Sequence, residues 1–237
     1  MLKAVKFGGS SVAGAEQFRK VKAIVEADPA RRIVVASAAG KRFDGDHKLT
    51  DLLYLCHAHL TYGVSCDEIM DSIEKRFADI RRELGIAYDV EADIKALRAR
   101  LTKDMGVDEL VSRGEYFTSK LMAEYLGYTF VDAADCVIFS FDGSIDYERS
   151  YALIAEAAEK YGRIVIPGFY GRVSTGKIKV MTRGGSDITG SLQCLTERVA
   201  GVHIMLLERD YREVLPACDT GYETVVAVLA VDVPDYH

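Results

Sequence analysis

The chain has 237 residues, 49% of them apolar, and a formal net charge of −6. That length allows one large domain or two small ones around a sizeable core, the acidic balance argues against nucleic acid as the main partner, and no apolar run approaches a membrane span. Five scattered cysteines (Cys56, Cys66, Cys136, Cys194, Cys218) form no Cys-x-x-Cys, and a strand pattern begins at once where a signal peptide would stand, so the thiols read as reduced and the chain as cytoplasmic.

Ala4 to Phe7 reads as a strand. It runs into Lys6-Phe7-Gly8-Gly9-Ser10-Ser11, and a helix follows from Ala15 to Glu26 with Phe18, Val21, Ile24 and Val25 on one face. A strand, a glycine turn and a helix make an anion site: glycines let backbone N–H groups approach a phosphate, and the helix points its positive end at it. Lys6 adds a cation and the serines add donors, although no Gly-x-x-x-x-Gly-Lys-Ser/Thr P-loop is present. Ile33 to Ala36 is an apolar run typical of a strand buried on both faces, and it ends in the small-residue turn Ser37 to Lys41. Ligands collect at such strand ends in open α/β sheets. A polar loop, 42–48, leads to a helix from Asp51 to Leu60, with Thr50 as its candidate cap.

From Cys66 to about Lys103 the chain is charged and helix-rich, with Ile69, Ile73, Phe77 and Ile80 at helical spacing and a second helix near Val90 to Leu101. It reads as a helical lobe inserted into one domain, and its charges from Glu74 to Arg100 as a solvated face. Asp108 to Leu126 is a further helix, interrupted at Arg113-Gly114-Glu115, where the glycine leaves room for a ligand beside Glu115. Short strands follow at Tyr128 to Val131 and Val137 to Phe139, then a helix from Tyr147 to Tyr161 and a buried strand from Arg163 to Pro167. Gly168 to Gly171 reads as a turn and Lys177 to Met181 as one arm of a hairpin. A second glycine cluster, Arg183-Gly184-Gly185-Ser186-Asp187, opens a helix from Ser186 to Arg198, and Val202 to Leu207 and Val225 to Val231 read as strands. Strands alternating with helices predict an α/β fold with a largely parallel sheet. Cys56, His57 and His59 do not share one helix face and read as no zinc site.

Three blocks, Lys6 to Ala13, Ser112-Arg113-Gly114-Glu115 and Arg183 to Gly190, resemble in order and spacing the signature blocks of aspartate kinase, a branch of the amino acid kinase superfamily. Gly168-Phe169 ahead of the third block fits too, and the likeness spans roughly residues 3 to 192. The resemblance implies a three-layer α/β/α sandwich. It implies ATP-dependent phosphorylation of the L-aspartate side-chain carboxylate to 4-phospho-L-aspartate, on the way to lysine, threonine and methionine. By the same resemblance Lys6, Gly8, Gly9 and Ser10 hold the β- and γ-phosphates, and Lys6 and Asp187 act at the reacting centre. Ser37, Thr50 and Ser186 line the aspartate pocket, Glu115 meets the substrate ammonium and Arg183 its α-carboxylate. Mg²⁺ rides on the nucleotide phosphates.

Physics agrees with those roles. A carboxylate attacking a γ-phosphate brings two anions together, so catalysis is chiefly positioning and charge neutralisation. Taken singly, Arg183 and Asp187 could be a surface ion pair worth about 0–1 kcal/mol, and Glu115 a solvated helix charge. The resemblance stops near Leu192: the family's Trp-Thr-Asp nucleotide motif finds only Leu207-Glu208 or Asp210, and Cys218 to Gly221 does not match Asp-Pro-Arg. The expectation is one amino acid kinase-like domain over 1–237, incomplete at its C-terminus, without ACT-type regulatory domains and with homo-oligomerisation open. Two alternatives stand beside the kinase: a fragment that binds aspartate or phosphate without productive ATP binding, and a related kinase with another carboxylate acceptor.

Overall fold

A computed structural model describes residues 2–181 and the strand 202–207. The block from Arg183 to Gly190, with Arg183, Ser186 and Asp187, lies outside the described residues, as do the helix expected from Ser186 to Arg198 and the strand expected from Val225 to Val231. In chain order the elements are β1 (Leu2–Phe7), a 3₁₀ turn (Ser10–Val12), α1 (Ala15–Glu26), β2 (Arg31–Ala36), α2 (Leu49–Thr61), α3 (Asp67–Leu84) and α4 (Val90–Arg98). They continue as α5 (Val107–Val111), α6 (Arg113–Leu126), β3 (Thr129–Phe130), α7 (Ala133–Cys136), β4 (Ile138–Phe139) and α8 (Tyr147–Tyr161). The last are β5 (Ile164–Pro167), β6 (Tyr170–Val173), β7 (Ile178–Val180) and β8 (Val202–Leu207).

Five strands form a parallel sheet in the order β3-β5-β2-β1-β8. Because side chains alternate along a strand, each strand feeds two cores. Val5, Phe7, Val34 and Val165 face one cluster, where Phe18 and Val21 of α1, Leu53 of α2, Ile73 and Phe77 of α3, Ile94 of α4 and Leu121 of α6 cover them. Ala4, Ile33, Val35, Ile164 and Ile166 face the other, where Cys136 of α7 and Tyr151 and Ala158 of α8 close the layer. The result is an α/β/α sandwich. Helices α3 and α4 share their apolar cluster with β1 and α1.

Several local features differ from the sequence expectation, each for a physical reason. Strand β4 joins a second sheet, β4-β6-β7, in which β6 and β7 form an antiparallel hairpin. Tyr170 and Gly171 therefore lie in a strand and not in a turn, and Tyr170, with its ring buried, donates from its hydroxyl to Asp132 at 2.7 Å. Helix α2 starts at Leu49, so Thr50 lies within its first turn and caps nothing; no side chain caps this end. The long helix breaks at Ser112, and Gly114 and Glu115 lie in the first turn of α6. Glycines in left-handed conformation, Gly85 and Gly127, stop α3 and α6 at φ 65° and 69°.

Candidate active site

Four adjacent strands of the main sheet end in one row. Phe7 pairs with Ala36 and with Leu207, and Ala36 pairs with Pro167. The loops that follow β1, β2 and β5 thus emerge side by side at the carboxyl edge. Two bonds extend the ladder past its end: Ser37 N–H donates to the Phe7 carbonyl at 3.1 Å, and Gly168 N–H to the Ala36 carbonyl at 2.9 Å. The chain runs outward from β1 through β2 on one side and returns as β8 on the other. The turn after β1 therefore opens at the topological switch point, where ligands of open α/β sheets bind.

Glycine is required here by close approach. Gly40 N–H donates to the Gly9 carbonyl at 2.7 Å. A Cβ on Gly40 would lie 2.6 Å from the Gly9 carbonyl carbon, and one on Gly9 would lie 3.0 Å from the Ala38 oxygen. The β1 and β2 loops touch backbone to backbone, so neither tolerates a side chain without parting. Gly40→Ala is expected to destabilise the fold by about 2–3 kcal/mol through this overpacking, lowering Tm by roughly 5–10 °C in calorimetric melting. Lys6 sits two residues before Gly8, 2% exposed, on the β1 face it shares with Ala4. Gly8 is buried, Gly9 half-buried and Ser10 exposed.

The second part of the site gathers around Ala38 and Ala39. Ala39 donates its N–H to Thr118 Oγ1 at 3.2 Å and accepts at its carbonyl from Leu49 N–H at 3.2 Å. One residue thereby anchors α6 and the start of α2. Thr118 also donates to the Gly114 carbonyl at 2.7 Å. A Cβ on Gly114 would lie 3.0 Å from the Ala38 methyl carbon and 3.2 Å from Leu53 Cδ1. The glycine thus admits a neighbouring loop and helix, where the sequence suggested room for a ligand. The consequence falls on the next residue. Glu115 is only 4% exposed, with the backbone amides of Ala38 and of Glu115 itself facing its carboxyl group. Burial pushes its pKa up to about 8, against the opposing pull of those amides and of Arg113. Its Oε2 is buried and finds no hydrogen-bond partner among the described residues.

Ser37 and Thr50, both half-buried, stand at the ends of the segments joined through Ala39. The structure therefore brings Ser37, Thr50 and Glu115 to one loop cluster, and Lys6, Gly8, Gly9 and Ser10 to the loop pressed against it. Sequence reasoning missed two residues here. Thr118 ties α6 to Ala39, and Arg76 lies buried among the loop carbonyls although it was assigned to a solvated face. The signal for Arg76 was its place in the stripe Ile73, Arg76, Phe77, Ile80, which follows i, i+3, i+4, i+7. Phe169, which follows Gly168, adopts φ 72°, a left-handed conformation that costs a non-glycine residue free energy and clusters at functional sites. Its carbonyl accepts from Met181 N–H at 2.8 Å.

Strand ends, a glycine turn and a buried acid thus meet at one edge of the sheet. The profile of the amino acid kinase family matches residues 1–193, and the chain belongs to that family. Within it the similarity is to aspartokinases. Aspartokinase 3 of Bacillus subtilis is 35% identical over 205 residues, which span 81% of this chain and 45% of that protein. The lysine-sensitive aspartokinase 3 of Escherichia coli is 28% identical over 214 residues, spanning 79% and 44%. The crystal structure of Clostridium acetobutylicum aspartate kinase superposes with a TM-score of 0.81 at 38% identity, over 87% of this chain and 47% of that one. E. coli aspartokinase III, solved with aspartate and ADP, shares the fold with a TM-score of 0.69 at 23% identity. The chain spans about half the length of the relatives it matches.

Proposed function

We propose that this chain carries the phosphate- and aspartate-binding part of an aspartate kinase and transfers the γ-phosphoryl group of ATP to the side-chain carboxylate of L-aspartate. The observation that carries the reading is Glu115, a buried carboxyl group with an unpartnered oxygen at the same sheet edge as the buried cation Lys6. An acid held out of water with a free acceptor is the complement of an ammonium group. A cation beside a glycine turn is the complement of a phosphate.

In this reading aspartate lies between the Ser37–Thr50–Glu115 cluster and the glycine turn, its ammonium on Glu115. A side-chain carboxylate oxygen attacks the γ-phosphorus, and the bond to the β–γ bridging oxygen breaks as ADP leaves. Lys6 offsets the negative charge on the transferring group, and the turn around Gly8, Gly9 and Ser10 holds the phosphates in line. Arg183 and Asp187 enter from the family resemblance, as partners of the α-carboxylate and the reacting centre. The family resemblance assigns Mg²⁺ to the nucleotide phosphates. It would supply charge neutralisation there. No described helix is long and apolar enough to cross a membrane. The free buried thiols Cys56, Cys66 and Cys136 fit a reducing compartment such as the cytoplasm.

A coupled assay of ADP release tests the proposal. ADP formation from ATP and Mg²⁺ that requires aspartate supports it. Release independent of aspartate, or none from folded protein, contradicts it. Aspartate binding by calorimetry without ATP binding would instead mark a binding fragment.

A further inference from the structure

Arg76 is 2% exposed, and burial pulls its pKa down to about 10. A guanidinium is costly to bury unless its donors are met. Here Nη1 donates to the His47 carbonyl at 2.7 Å, and Nη2 donates to the carbonyls of Ala13, at 3.2 Å, and Gly40, while the buried Nε meets no acceptor among the described residues. Asp46 lies 3.6 Å from Nη1 and is itself gripped at both oxygens by Arg42, at 2.8 and 3.0 Å. The three carbonyls belong to three different stretches: the end of the turn after β1, the turn after β2, and the loop that leads into α2. Gly40, whose carbonyl Arg76 holds, donates its own N–H to Gly9. The other arginines of α3 reach only nearby groups, Arg81 meeting Glu91 and the Ile86 carbonyl and Arg82 meeting Asp79.

We propose that Arg76 is a positioning residue for phosphoryl transfer, one guanidinium that fixes the spacing between the phosphate turn and the loops of the aspartate pocket. This rests on the proposed function, because the two loops need a fixed spacing only if they hold two reactants. The geometry explains why an arginine stands here. A single planar fork with donors in fixed directions can join carbonyls of separate loops, which a lysine point charge does less well. Without it, Gly9 and Gly40 remain in contact through one backbone bond, and Asp46 keeps Arg42 and the His47 backbone amide but loses its link to α3. Misplacing reactants by about 1 Å costs on the order of 100-fold in rate.

The test uses the full chain with Arg76→Met, Arg76→Lys and, as a control on the same helical layer, Arg98→Met, whose guanidinium binds surface acids of α3. Two readouts are taken. Amide hydrogen exchange of the unliganded protein is followed at Val12 and Gly40, whose N–H groups both donate to Gly9. Steady-state kcat and aspartate KM are measured with ATP and Mg²⁺. The expected result is faster exchange at both amides and a fall in kcat of about tenfold or more in Arg76→Met. Aspartate KM should move less than kcat, Arg76→Lys should recover part of kcat, and Arg98→Met should match the parent. If Arg76→Met does not fold, Arg76→Lys and Asp46→Asn carry the comparison with the same expected direction. Unchanged exchange at Val12 and Gly40 in a folded variant overturns the proposal, as does an unchanged kcat. If the parent chain turns over no aspartate, the kinase reading fails by itself. The exchange readout then still decides whether Arg76 sets the loop spacing.

Discussion

Lys6→Ala is expected to lower aspartate-dependent ADP release by about 10²–10³-fold while leaving aspartate binding nearly intact. The side chain is 2% exposed, so its charge acts where water does not screen it. It projects from the face of β1 opposite Phe7, beside the Gly8–Gly9 turn, whose glycines keep the backbone open to a phosphate. A substituted phosphate gains charge on its peripheral oxygens as the bridging bond breaks, and a fixed cation is worth most at that moment. Glu115 lies on α6 and is untouched, so the aspartate ammonium keeps its partner. Single-turnover kinetics with saturating aspartate read the loss in the chemical step, and calorimetric titration with aspartate reads the unchanged binding. An equal loss in both would mean that Lys6 acts on the fold of the pocket and not on the phosphate.

Glu115→Gln is expected to act in two opposite directions. Burial raises this carboxyl group from an ordinary value of 4.5 to about 8. Between those two values the folded protein holds a proton that the unfolded chain releases. Stability contributed by the protonated group is therefore fully present below about pH 4.5 and is lost as pH rises through 8. At about 1.4 kcal/mol per unit, the loss is of the order of a few kcal/mol by pH 8. The amide variant has no proton to lose, so it should overtake the parent in chemical denaturation as pH rises from 5 to 8. Aspartate binding should move the other way. An ammonium wants the carboxylate, and removing one partner of a buried charged pair costs about 2–5 kcal/mol, or roughly 30- to several-thousand-fold in affinity. Near neutral pH most of the parent's Glu115 is protonated, so aspartate binding should release close to one proton. Titrations in buffers of different ionisation enthalpy measure that number. A parent that binds aspartate with no proton release would place the ammonium elsewhere.

Much of the sheet was legible because its strands are buried on both faces. The unbroken apolar runs at 33–36 and 164–167 leave no helical alternative of adequate length, and Val202 to Leu207 was read with the bounds it has. Helix α1 was legible because its apolar stripe lies between a glycine and Asp28-Pro29. Two strands of the second sheet were legible, near Val137–Phe139 and Lys177–Met181, but their pairing into a separate sheet was not, since β6 read as a turn and the partners of β4 come from beyond α8. The Gly8–Gly9 turn and Glu115 were singled out as candidates by motif, spacing and family resemblance. Why Glu115 is buried was not, because that depends on Gly114 meeting Ala38 and Leu53 across long stretches of chain. Arg76 shows the same limit: within a charged helix, a guanidinium turned inward carries the same letter as one in water. Only its position on the Ile73–Ile80 stripe set it apart.

The measurement closest to the central claim traps the product. An acyl phosphate reacts with hydroxylamine to give a hydroxamate, so the full chain, ATP, Mg²⁺ and L-aspartate are incubated with hydroxylamine and the aspartyl hydroxamate is quantified. The expected result is a hydroxamate on the side-chain carboxylate, formed in step with ADP, and lowered about 10²–10³-fold by Lys6→Ala. ADP without hydroxamate, or hydroxamate formed by Lys6→Ala at the parent's rate, would contradict phosphoryl transfer to aspartate at this site.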